Sequence, residues 1–535
     1  MNYTYDNNFH ITDQESWVPD TSGNDFDKLS EYAYDNDGNI TGISLYDVTS
    51  NGLNPGPAMS ISYDPNNGRV MGTTLGNVNT SQSYDSNGAL SYFETDFGGS
   101  SIFQTSYQRD SLNRIRILTE VNQGQMTVKK YAYDIVGRLS QVWRNDTLIS
   151  TYSYDPNGNR IARCTPSKID SGFYDAQDRM LSYGNAQYIY SRNGELQKKI
   201  SGTDTTSYAY DYFGNLLSVR LPGHGGQANG DFIEYIIDGQ NRRIGKKING
   251  AIVKKWIYAG GLSPIAELDS AYNVTAEFVG SLMIKNSNTY QLITDHLGSV
   301  RLVVDINSGN IIQQLDYDEF GNVLSDSNPD FQPFAYAGGL YDSQTKLVRF
   351  GARDYDASVG RWTCKDPIGF KGESFNIYGY CSNDPINYYD DSGLKLWYAN
   401  ANALEQFGNN IKEMMKSCKG RKLLKRLNDS PMIYKIHATN EGYSHTNRAL
   451  TDVYIDPNFH PIINTTAGDQ LASTTRQLAH ELGHLTGVKD TPDPGDRMDN
   501  VNTWENPIME PIEGYDRTTY DTIIPMPGVT STPDE

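Results

Sequence analysis

From about residue 30 to residue 325 apolar and polar positions alternate in short runs, and most runs end in the same punctuation. The unit reads Tyr-x-Tyr-Asp, two or three turn residues, Gly, a polar residue, then an aliphatic run. Tyr131-Ala-Tyr-Asp-Ile-Val-Gly-Arg-Leu139 and Tyr152-Ser-Tyr-Asp-Pro-Asn-Gly-Asn-Arg-Ile161 are full copies. So are Tyr32-Ala-Tyr-Asp-Asn-Asp-Gly-Asn-Ile40 and Tyr208-Ala-Tyr-Asp-Tyr-Phe-Gly-Asn-Leu216. Shorter copies begin near Tyr63, Tyr84, Tyr107, Tyr174, Tyr190 and Tyr235, and a late one is Asp316-Tyr-Asp-Glu-Phe-Gly-Asn-Val323. Period two puts both rings of Tyr-x-Tyr on one sheet face. Asp opens the turn by accepting backbone amides, and Gly takes the left-handed position. The aliphatic run then returns as the second hairpin strand. One hairpin cannot bury its own face, so the copies are expected to join into a long curved antiparallel sheet with the tyrosines stacked as ladders.

After Leu394 this rhythm stops. Leu404, Phe407, Ile411, Met414 and Met415 fall near one face of a helix. A basic run follows (Lys416, Lys419, Arg421, Lys422, Lys425, Arg426), which reads as a solvated helix face. Met432-Ile-Tyr-Lys-Ile-His437 and Asp452-Val-Tyr-Ile-Asp456 alternate like strands. A helix is expected over residues 473–485, with Gly487 as its stop.

That helix carries His480-Glu481-Leu482-Gly483-His484, the pattern H-E-x-x-H. Residues four apart share a helix face, so both imidazoles can meet one metal ion. Glu481 beside them is placed to act as general base on water. The expected cofactor is therefore Zn2+, with His480 and His484 as ligands. A catalytic zinc needs a third protein donor, and two acids compete for the place. Asp490 follows His484 by six residues and Glu505 by 21. His437, His445 and His460 read as ordinary surface or core histidines.

Composition narrows the partners. With 65 acidic against 45 basic side chains the formal charge is −20, which argues against a general affinity for nucleic acid or anionic membrane. Cys164, Cys364, Cys381 and Cys418 are scattered, with no C-x-x-C pair, so neither a disulfide scaffold nor a cysteine zinc cluster is expected. No apolar run is long enough for a membrane span, and the start lacks the pattern of a signal peptide.

The repeats resemble the YD-repeat region of RHS proteins. The likeness is most specific in Thr294-Asp-His-Leu-Gly-Ser-Val-Arg-Leu-Val-Val-Asp305 and in the run from Phe334-Ala-Tyr-Ala-Gly-Gly-Leu-Tyr-Asp342 to Val348-Arg-Phe-Gly-Ala-Arg-Asp-Tyr-Asp356. It continues through Gly360-Arg-Trp-Thr-Cys-Lys-Asp-Pro-Ile-Gly369 and Asn376-Ile-Tyr-Gly-Tyr-Cys-Ser-Asn-Asp-Pro-Ile-Asn387. The resemblance implies a β shell around a variable C-terminal toxin. It divides the chain into a YD-repeat β array over 1–290, an RHS-associated core over 291–394 and a toxin domain over 395–535. The expected fold class is thus multidomain, an all-β array followed by a small α+β zincin-like domain. Relatives often cut themselves after this core with two aspartates. Asp366 matches the first position and Asp391 the second, with the cut after Leu394; Ser392 departs from the usual proline-containing pattern.

The tail resembles a family of bacterial effector metallopeptidases that pairs an H-E-L-x-H helix with a later Glu-Asn and Arg-x-x-Tyr. Here these match Glu505-Asn506 and Arg517-Thr-Thr-Tyr520. The resemblance favours Glu505 as third ligand; Asp490 fits a compact metzincin-like pattern instead. It also implies Arg517 as a substrate clamp and Tyr520 as an oxyanion donor. The expected function is an RHS-type toxin whose zinc endopeptidase cuts proteins of a target cell. It would be secreted or surface-bound, carried by secretion machinery and neutralised by an immunity protein. The competing readings are a non-enzymatic surface adhesin and a toxin of other chemistry, such as a nuclease.

Overall fold

The computed structural model describes residues 2–393 apart from 7–9, 20–24, 37, 50–51, 66, 224–228, 260 and 370–375. Beyond these it describes 397–398, 414, 417, 419, 422–423, 435–438, 445–446, 452–455, 462–466, 468–484 and 501–513. The chain forms two compact units, Met1–Phe370 with Ser374–Asn400, and Lys371–Glu373 with Ala401–Glu535. Residues 291–370 and 374–394 therefore belong to the same unit as the repeats.

Among the described residues, thirty strands from Asn2–Tyr5 to Val323–Asp326 form one sheet. Each pairs antiparallel with its neighbour in the chain, as Gln125–Tyr133 does with Leu139–Arg144 and Leu139–Arg144 with Thr147–Tyr154. The turn at Asp134 shows how one repeat is built. Its Oδ1 accepts the amides of Val136 (3.1 Å) and Arg138 (2.9 Å), and its Oδ2 accepts Arg138 Nε at 2.7 Å. Gly137 closes the turn at φ 93°, where a side chain would be strained. A bulge between Ala132 and Tyr133 marks the entry.

The two tyrosines of a repeat do different things. Tyr131 and Tyr152, the first of their pairs, and Tyr107 at the same position of a repeat whose second place is Arg109, are buried among Ile115, Leu118, Leu139 and Val142. The second tyrosine reaches back to the preceding repeat. Tyr63, Tyr133, Tyr154, Tyr258 and Tyr317 donate to the carbonyls of Ile40, Ile115, Leu139, Arg243 and Val300 at 2.7–2.9 Å. Arg138 lies 4.8 Å above the Tyr154 ring, so the turn cation also covers the next repeat. Hydroxyl-to-carbonyl stitching thus accompanies the aromatic packing.

The sheet doubles back on itself. Leu45, Met59, Leu75 and Phe103 share a buried cluster with Leu282, Ile293, Leu302 and Val304. Arg301 crosses this contact and grips Glu120 with two bonds of 2.8 and 2.7 Å, both side chains being buried. Its Nε donates to the Leu315 carbonyl at 3.1 Å.

Residues 331–369 and 376–393 run along the edge that carries the Tyr-Asp turns. Arg361 donates to Asn159 Oδ1 and to the Asp178 carbonyl, and Arg349 donates to Asn215 Oδ1 and the Asn241 carbonyl. Asn383 donates to the Gly158 carbonyl and Tyr378 to that of Gly194. Tyr336, Phe350, Tyr355, Trp362 and Tyr380 form the aromatic centre of this segment. Asn387 donates to both oxygens of buried Asp384 at 2.9 Å. Burial nonetheless pushes the Asp384 carboxyl up to about 7.

Two outcomes follow. Arg301→Met leaves Glu120 buried and unpaired, and is expected to cost about 3–5 kcal/mol in chemical denaturation; a loss below about 1 kcal/mol would show the pair to be dispensable. Asp384 binds its proton more tightly folded than unfolded, so wild-type stability falls as pH rises from about 4 to about 7. Asp384→Asn lacks that term. Its stability relative to wild type should climb across this window and level off above it, as read from denaturation curves at several pH values.

Candidate functional site

Among its described residues the second unit holds short strands, helical residues at 414, 419 and 422–423, and two continuous helices. Lys435–Ala438 pairs parallel with Asp452–Ile455, which pairs antiparallel with His445–Thr446; Ile462–Thr465 and Gly468–Leu471 form a hairpin. Helix α1 spans Thr474–His484 and helix α2 spans Asn506–Glu513, the latter entered through a π-helical turn at Val501–Glu505. Ser473 caps α1, its Oγ accepting the Arg476 amide at 3.1 Å. Leu478, Ala479 and Leu482 on α1 are buried, as are Val501, Trp504, Ile508 and Met509 around the second helix. Lys419, from the basic run, lies 4.7 Å over the Trp504 ring.

The H-E-x-x-H residues sit on the last two turns of α1. His480 and Glu481 are buried, and His484 is partly exposed. The Nε2 atoms of His480 and His484 approach to 3.2 Å, with the rings perpendicular at 89° and their centroids 4.8 Å apart. Two nitrogens each bonded to one tetrahedral zinc at about 2.0–2.1 Å lie about 3.3 Å apart. The pair therefore fits a zinc ion as two of its donors. Among the described residues, no group of three or more His, Cys, Asp or Glu side chains is arranged around a common metal position.

Glu505 is brought to the same place but to the other side of the ring. Its Oε2 lies 2.9 Å from His480 Nδ1, and its Oε1 accepts Arg476 Nη1 at 3.1 Å. The same Nη1 donates to Asn506 Oδ1 at 3.3 Å. Arg476 escaped the sequence reading, although it precedes His480 by one helical turn and so belongs to the same face. Asp490, Arg517 and Tyr520 lie outside the described residues.

At the core's end the structure brings Asp390, one position earlier than Asp391, into company with Asp366. Both carboxylates meet Arg353 Nη2, at 3.1 Å for Asp366 Oδ2 and 3.3 Å for Asp390 Oδ2. Asp391 is exposed. Arg353 Nε donates to the Gly393 carbonyl, and its guanidinium lies 4.1 Å from the Trp362 ring centre. Burial raises the Asp366 carboxyl above its ordinary range in spite of Arg353. Leu394 lies outside the described residues. The adjacent acids Asp390-Asp391 read alike in sequence; only packing separates the buried one from the exposed one.

A consecutive antiparallel array of Tyr-Asp hairpins, bolted along its turn edge by an arginine-rich terminal segment, defines a YD-repeat shell protein. The chain belongs to the Teneurin YD-shell family, which matches residues 1–386. It is 27% identical over 415 residues to teneurin-3 of Danio rerio, covering 72% of this chain and 14% of that protein. It is 29% identical over 443 residues to teneurin-1 of Homo sapiens, covering 76% of this chain and 15% of that protein. The tRNA3(Ser)-specific nuclease WapA of Bacillus spizizenii is 27% identical over 352 residues, covering 59% of this chain and 15% of that protein. The chain thus spans about a seventh of the length of these relatives. The crystal structure of TcdB2-TccC3-TEV superposes with a TM-score of 0.55 at 19% identity, over 74% of this chain and 22% of that one. At that identity the likeness is one of fold.

Proposed function

We propose that this chain is an RHS-type toxin, a YD-shell carrier followed by a zinc endopeptidase that acts on proteins of a target cell. The observation that carries the reading is the convergence of His480 and His484 Nε2 at 3.2 Å, with Glu481 next to the first of them on the same helix. Bound zinc supplies Lewis acidity toward a scissile carbonyl and toward water. His480 and His484 would hold the ion, and the Glu481 carboxylate would accept the proton of the attacking water and return it to the leaving amine. Secretion machinery, an immunity protein and action outside the producing cell belong to this reading. Among the described residues no helix is long and apolar enough to cross a membrane.

Self-cleavage after Leu394 is part of the same proposal. Its support is the buried meeting of Asp366 and Asp390 on Arg353, which also binds the carbonyl of Gly393, next in sequence to Leu394. Two acids gathered on one guanidinium suit the activation of water between them. The similarity to WapA, named for nuclease activity, favours a nuclease as the second reading.

In full-length protein, Glu481→Gln should keep its zinc while losing about 10²-fold or more of its peptide hydrolysis. Undiminished peptide hydrolysis by that variant would overturn the role of Glu481, and RNA cleavage that survives His480→Ala would move the assignment to the second reading. Purified wild type should run as two fragments parted near residue 394, and Asp366→Asn as one band. A single full-length wild-type band would end the self-cleavage proposal.

A further inference from the structure

We propose that Glu505 serves the metal site from its outer shell, orienting His480 through Nδ1, and that Arg476 and Asn506 hold it in that role. The inference rests on the zinc reading and assigns residues within it. The two nitrogens of an imidazole point away from each other across the ring. On His480, Nδ1 meets Glu505 Oε2 at 2.9 Å, and Nε2 meets His484 Nε2 at 3.2 Å. A carboxylate on Nδ1 keeps the proton there and leaves the lone pair on Nε2, facing the second imidazole. The carboxylate thereby selects the tautomer that can bind a cation.

The other oxygen of Glu505 is committed as well. Oε1 accepts Arg476 Nη1 at 3.1 Å, and the same nitrogen reaches Asn506 Oδ1 at 3.3 Å. The Arg476 and Glu505 side chains are 2% and 1% exposed, so neither charge can trade its partner for water. Arg476, His480 and His484 follow one another at intervals of four on α1. The clamp and the metal face are therefore one stripe of one helix, and the π-helical turn at Val501–Glu505 delivers the carboxylate to it. Both Glu505 oxygens are thus engaged away from His480 Nε2.

The experiment measures zinc affinity of the full-length chain by competition with a chromophoric chelator, together with the cobalt(II) absorption spectrum and X-ray absorption of the zinc-loaded protein. Wild type should bind one zinc, and His480→Ala or His484→Ala should abolish tight binding. If wild type binds none, or these two variants bind as well as wild type, the zinc reading itself fails. Given that binding, Glu505→Gln should weaken zinc about 10–100-fold while leaving the number of donor atoms and the cobalt spectrum unchanged. Loss of one donor atom, or unchanged affinity, would overturn the outer role alone. Arg476→Met should weaken zinc in the same range and also leave the donor count intact. Because the pair is buried and its variants can unfold, the metal-free wild type supplies an independent check. Nitrogen-15 shifts of His480 should report a protonated Nδ1 and a bare Nε2; the opposite tautomer would sink the proposal.

Discussion

A hairpin of two tyrosines, an aspartate turn and an aliphatic return strand has more apolar surface than it can shelter alone. The contact that ties it to its surroundings is the second tyrosine's hydroxyl on a carbonyl of the repeat before, as Tyr133 makes to Ile115 and Tyr154 to Leu139. One such bond contributes only about 0.5–1.5 kcal/mol net. It recurs along the array, however, and always in the same direction, so each unit is positioned by its predecessor. The first tyrosine can then be spent on the core, since the second already fixes the spacing. The order of the chain becomes the order of the sheet.

The same arrangement gathers the Tyr-Asp turns on one edge, and a row of turns exposes carbonyls and side-chain amides. Residues 331–369 and 376–393 answer that row with long donors. Arg349 and Arg361 reach Asn215 and Asn159, which are themselves turn residues, while Asn383 and Tyr378 reach turn carbonyls. Arginine suits this task because its planar fork satisfies several acceptors from one buried position. Arg353 differs from the others in gathering two carboxylates, Asp366 and Asp390, instead of turn amides. That concentration of acids beside the Gly393 carbonyl makes the end of the core the chemically distinct part of the segment.

The second unit uses the same physics for another end. A buried guanidinium must be paired, and Arg476 is paired with Glu505. The pairing holds a carboxylate against His480 Nδ1 and so turns Nε2 toward His484. A buried ion pair thereby fixes the orientation of the His480 ring.

Much was legible in the sequence because it is local. Tyr-x-Tyr-Asp followed by Gly specifies a hairpin from backbone sterics and period-two alternation, and H-E-x-x-H specifies two imidazoles on one helix face. Other features depend on residues far apart in the chain. Phe213 and Phe320 hold the same place in their turns, yet Phe213 is 75% exposed and Phe320 is 1% exposed. Tyr152, Arg160 and Gly360 surround the second and nothing in its own repeat announces them. Asp390 and Asp391 are neighbours of one chemistry, and packing against Arg353 chose between them. The spacing of Glu505 from His484 does not say which nitrogen of His480 its carboxylate meets; the fold brings it to Nδ1. Local patterns determined the strands, the turns and the helix that carries His480 and His484. Burial and long-range pairing decided which acids, cations and rings meet, because those contacts form only when distant segments are packed together.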